Sequence, residues 1–105
     1  GAQGSLLNNY FFGFGESSDI ELDNDGVSAN YTAGKIVIMG NEFTLPAAIT
    51  DLAAIFSDTA ENGDDAKFKA DMAAANTEVS TRTVGADPAN FDWTFATSKG
   101  ALEGF

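Results

Sequence analysis

The chain has 105 residues, no Cys, no His, and sixteen Asp or Glu against five Lys or Arg, for a formal net charge of -11. That length allows one domain with one core, and the missing thiols and imidazoles exclude disulfide frameworks, zinc or haem centres, and Ser-His-Asp or Cys-His catalysis. The negative field repels nucleic-acid phosphate and anionic lipid headgroups, which leaves proteins, further copies of the chain, or cations as partners.

Residues 1–9, "GAQGSLLNN", read as a flexible N-terminal arm with Leu6 and Leu7 as docking residues, and residues 10–105 as a single domain. A start at Gly1 is what a processed or tag-cleaved chain would show. In the next stretch, "YFFGF", alternation places Tyr10, Phe12 and Phe14 on the inner face of a first strand. Phe11 falls on the other face beside Gly13 and Gly15, where the chain itself offers no evident cover.

"DIELDNDGVSANYT" predicts a β-hairpin turning at Asp25 and Gly26, because that register sorts Ile20, Leu22, Ala29 and Tyr31 onto one face. "KIVIMGNEFTL" predicts a second hairpin turning at Gly40 and Asn41, with Ile38 opposite Phe43 and Ile36 opposite Leu45. Pro46 then opens a helix to Asn62, on the spacing of Ile49, Leu52, Ala53 and Phe56. Asp64 caps a second helix that carries Phe68, Met72 and Ala75. A last pair of strands follows, one in "TEVSTRTV" and one in "NFDWTFAT".

The expected fold is therefore α+β: antiparallel β-hairpins in one or two sheets, with two consecutive helices packed on one face or end. No internal repeat is visible beyond the two successive hairpins. No run reaches the roughly 18 to 20 apolar residues that a membrane-spanning helix needs.

Polar chemistry concentrates in "DIELDNDG", where Asp19, Glu21 and Asp23 share a strand face and Asp25 opens the turn. Carboxylates beside hydroxyl and amide oxygens suit a hard cation such as Ca²⁺. An EF-hand loop does not fit, since Thr32 stands where the bidentate Glu belongs. "GFGESS" lacks the third glycine of a dinucleotide loop, and no carboxylate pair marks a catalytic cleft. The expectation is a non-enzyme with no cofactor beyond a candidate Ca²⁺.

Apolar residues near both ends, Leu6, Leu7, Phe11 and Phe105, suit surfaces that dock on a neighbouring subunit. The first functional expectation is thus a structural or interaction protein that assembles into a virion, filament or surface complex, as a homo-oligomer or beside other proteins. An extracellular or virion-associated setting is favoured over the cytoplasm. The alternatives are an extracellular module that binds cations through Asp19, Glu21, Asp23 and Asp25, and a binder of small apolar ligands.

Overall fold

Each described strand finds its partner far away in sequence, and none of them across a tight turn. A computed structural model describes residues 2–14 and 20–80. The chain runs β1 (Gly4–Leu7), β2 (Tyr10–Phe11), β3 (Ile20–Leu22), α1 (Asp25–Thr32), β4 (Ile36–Met39), β5 (Glu42–Phe43), a single 3-10 turn (Leu52–Ile55), β6 (Phe56–Asp58), α2 (Asp65–Ala75) and β7 (Thr77–Glu78). Every strand pairing among these residues is parallel: β1 with β4, β2 with β5, β5 with β7, and β3 with β6.

The α+β content stands, but the antiparallel hairpins do not. In their place the chain makes two coils stacked in register, the first from β1, β2, β3 and α1, the second from β4, β5, β6 and α2. The reason is local. A type I′ turn needs left-handed backbone at both central residues, and neither Asp25 nor Gly26 has it. At the second site Gly40 is left-handed, at φ 68, and Asn41 directs its side chain to Asn9, Leu6 and Asn76. Asn24 instead takes extended backbone and its side chain accepts from the Val27 N–H, 3.0 Å away. That cap, with Asp25 in the first turn, starts a helix where a hairpin was expected. The helix ends at Gly34, whose φ of 79 is open to glycine at little cost.

The helix expected from Pro46 to Asn62 shrinks to one 3-10 turn capped by Asp51. Its apolar residues Ile49, Leu52 and Phe56 are nevertheless buried, as their spacing implied. The second helix forms as expected: Asp64 accepts from the Lys67 N–H at 3.0 Å, and Phe68 and Met72 are buried. Thr77–Glu78 is the start of the expected last strand pair, joined in parallel to β5; the rest of that pair lies outside the described residues.

At the corner between the first two strands of each coil stands an asparagine. Asn9, Asn41 and Asn76 stack above one another. Asn41 Oδ1 accepts from both the backbone N–H and the Nδ2 of Asn9, at 2.9 and 3.0 Å. One coil further on, Asn76 Oδ1 accepts from the backbone N–H and the Nδ2 of Asn41, at 3.1 and 3.0 Å. Each amide also reaches back one coil: Asn41 Nδ2 donates to Leu6 O, and Asn76 Nδ2 to Ile38 O. The residue before the asparagine is left-handed in both coils, Asn8 at φ 59 and Gly40 at φ 68, so both corners turn alike.

Inside, side chains line up in rows along the stacking direction. Phe11 stacks on Phe43 with ring centroids 4.9 Å apart. Phe56, in register with Ile20, meets Phe43 and Phe68 edge to face at 5.5 and 6.0 Å. Such rings each contribute roughly 2 to 3 kcal/mol by burial alone. The strand-face alternation expected around Phe12 fails at two positions: Phe11 packs on the core and Phe12 is 56% exposed, while Phe14 packs on Phe43 as expected.

The loop from β6 to α2 is knotted around the buried carboxylate of Asp58. Its oxygens accept from Ser28 Oγ of α1 at 2.8 Å, from the Ala60 N–H at 3.2 Å and from the Asp64 N–H at 3.1 Å. A Cβ at Gly63 would lie 2.1 Å from Asp58 Oδ1. Gly63→Ala must therefore displace a carboxylate that ties α1 to the second coil, and is expected to cost roughly 2 kcal/mol in a denaturant melt. Asn41→Ala strips hydrogen bonds from Asn9, Asn76 and Leu6 at once, and is expected to cost roughly 3 kcal/mol or more in the same measurement.

Candidate functional site

The two ends of this stack are finished differently. At the second coil, α2 lies across the outer edges of β4 and β6, while β7 pairs with the outer edge of β5 and opens a third layer. Lys69 Nζ donates to Phe56 O, Asp65 Oδ1 accepts from the Asp58 N–H, and the Gly40 N–H donates to Ala75 O. The amide ladder also closes there. The Asn76 backbone N–H is spent on Met72 O, and its Nδ2 on Ile38 O and Met72 O.

The first coil has no such cover among the described residues. β1, β2 and β3 each have one partner strand only. Asn9 gives its N–H and Nδ2 to Asn41, and no described group donates to its Oδ1. Side-chain exposure follows the same asymmetry. Ile38, Phe43 and Phe56 in the second coil are 5%, 1% and 0% exposed, whereas their register partners Leu6, Phe11 and Ile20 are exposed or half-buried. Leu6, at 41%, is a core-type residue at the open end of a core row.

Charge singles out the same end. In a chain of net charge -11, the first fifteen residues carry no charged side chain at all. β3 differs: Glu21 stands at its centre with Asp23 just beyond, which blunts that edge against pairing. β1 has neither a charge nor a proline along its four residues.

Of the residues singled out for docking, Leu6 and Leu7 lie on β1, within the segment read as an arm. Phe11 is on β2 and commits one ring face to Phe43. Phe105 lies outside the described residues.

The acidic row is dispersed by the helix that replaces the hairpin. Glu21 accepts from Thr59 Oγ1 at 2.7 Å, Asp23 from Asn24 Nδ2 at 3.0 Å, and Asp25 from the Asn62 N–H and Nδ2 at 2.8 and 2.7 Å. Asp19 lies outside the described residues. Among those described, no three acidic side chains gather as a metal site. Those bonds from Asn62, the backbone one foremost, hold the Asp25 carboxyl below its ordinary value.

An apolar cleft of about 410 Å³ opens between α1, β4 and α2, lined by Ile36, Val37, Met39 and Met72 and rimmed by Tyr31 and Lys67. Tyr31 donates to Asp71 at 2.7 Å, and Lys67 pairs with the same carboxylate at 2.6 Å. Burial first, and then Asp71, pushes the Tyr31 hydroxyl above its ordinary value, while Lys67 and then Tyr31 pull Asp71 below its own. Comparison of the chain with known protein families, curated proteins and solved structures gives no match. No helix among the described residues is long and apolar enough to cross a membrane.

Because the folded pKa of Asp25 is lowered, its share of stability is in force above the ordinary carboxylate value and is lost as pH falls through the folded one. Asn62→Ala removes the Nδ2 donor and keeps the backbone N–H, so the Asp25 titration followed by carboxyl NMR is expected to move up only part of the way to the ordinary carboxylate value. Stability should then depend less on pH across the acid limb of the melt.

Proposed function

We propose that this protein is a non-enzymatic structural module whose work is assembly, joined to its neighbours through the open edge of the first coil. The observation that carries the reading is the contrast between the two ends. The rows through Ile38 and Phe56 and the amide ladder are met by α2 on one side and the row through Phe43 by β7, whereas the uncharged β1 and β2 have no further layer among the described residues. An uncovered strand edge without charge, proline or bulge is a template for further strand addition, and a protein working as a free monomer normally blunts it. The acidic surface elsewhere keeps copies soluble and directs contact to the one region without like-charge repulsion. On this reading the assembly surface is β1 and the chain that follows it.

The cation reading is weakened by the hydrogen bonds that Glu21, Asp23 and Asp25 each make to separate protein donors. Light scattering across concentration, with and without millimolar Ca²⁺, separates the two. Assembly predicts a mass rising above the 10.9 kDa chain with concentration and a melting temperature indifferent to Ca²⁺. A chain that stays monomeric throughout contradicts the proposal, and a melt raised by Ca²⁺ moves the function to the acidic loops.

A further inference from the structure

The partner at this edge follows from which backbone groups β1 has left over. The Gly4 N–H donates to Lys35 O, the Asn8 N–H to Met39 O, and Leu6 O accepts from Asn41 Nδ2. Even-numbered residues of β1 thus turn their peptide groups toward the second coil. Ser5 and Leu7 turn theirs outward, since along a strand successive residues present their N–H and C=O to opposite sides.

Head-to-tail stacking of copies would continue the parallel ladder, and needs the far end of a copy to donate an N–H and an amide to Asn9 Oδ1. That end has none to give at the ladder position: the Asn76 donors are spent on Met72 and Ile38. α2 blocks the strand edges beside it. The exposed edge of β1 can still be met by the same edge of a second copy.

We propose, resting on the assembly reading above, that two copies pair β1 against β1 in antiparallel fashion about a twofold axis through Leu6. In that register the outward N–H and C=O of Ser5 meet those of Leu7 in the other copy, and the reverse. Leu6 faces its own counterpart as a non-hydrogen-bonded pair, with Cα atoms about 4.5 Å apart. The exposed Leu6 then gains the apolar neighbour that Ile38 already has in the second coil. No acidic side chain lies within the first fifteen residues of either copy to oppose the approach. Such an isologous contact closes on itself, so it yields a dimer and not a filament.

The chain has no cysteine, so Leu6→Cys introduces a lone thiol at the axis. At that spacing two such thiols are within disulfide reach. Mild oxidation is expected to give a covalent dimer on a non-reducing gel, and the same treatment of Ala70→Cys, on the exposed face of α2, to give none. Light scattering of the unmodified protein is expected to show twice the chain mass as its limit at high concentration. Ser5→Pro removes an outward N–H, and Ser5→Lys adds an edge charge. Each is expected to weaken dimerisation at least about tenfold with an unchanged circular-dichroism spectrum, and the lysine variant decides should the proline variant unfold. Larger or different assemblies that survive Ser5→Lys and leave Leu6→Cys uncrosslinked overturn the twofold pairing while the assembly reading stands. A monomer at every concentration overturns both.

Discussion

Asn41 is wholly buried, and its amide must find partners inside the protein or cost several kilocalories. The stacking of coils supplies them. Its oxygen takes two donors from the coil before, and its nitrogen gives one hydrogen back to Leu6 and one forward to Asn76. Four groups in three layers are satisfied only if the layers hold one register. A slip of one residue would leave the amide unpaired and turn Phe11 away from Phe43. The corner asparagines thus do what a tight turn does in a hairpin: they fix which residue faces which.

The composition and the apolar spacing carried reliable information, and the turn dipeptides carried it ambiguously. Phe56, Phe68 and Met72 are buried as their spacing implied, and Asp64 caps its helix. Asp25-Gly26 and Gly40-Asn41 suit hairpin turns, yet in each the neighbouring residue decided otherwise. Asn24 is a better helix cap than strand residue, and Asn41 gains more by pointing its amide inward than by adopting left-handed backbone. Alternation along "DIELDNDGVSANYT" was compatible with a strand face and, from Asp25 onward, with one helix. The long-range signal was present and unread: asparagines 32 and then 35 residues apart, each followed directly by a two-residue strand, Tyr10–Phe11, Glu42–Phe43 and Thr77–Glu78. Local pattern cannot weigh such a period, because its reward appears only when the layers meet.

The residues read from the sequence as docking groups take on a different setting in the fold. Leu6, Leu7 and Phe11 were picked out as apolar groups in a lead-in segment, whereas they are members of rows that run through the core. Their exposure is a property of the layer they occupy, since the equivalent residues one layer on are buried. Of the acidic row, Glu21, Asp23 and Asp25 each bond a separate donor, with Asp25 and Glu21 tying the first coil to the loop after β6.

Those anchors bear on why the charge of this protein is placed as it is. Asp58, Asp25 and Glu21 all cross from one coil to the other, each accepting from a backbone or side-chain donor rather than from a Lys or Arg. With five basic residues in the whole chain, ion pairing could not hold the coils together, and carboxylates work here as hydrogen-bond acceptors for a loop that would otherwise leave its N–H groups unmet. Acidic side chains are not confined to the periphery of the stack: Glu42 of β5 and Asp58 of β6 are buried within it. β1 and β2 carry no charged side chain, and β1, paired with β4 on one side, has no strand on the other among the described residues.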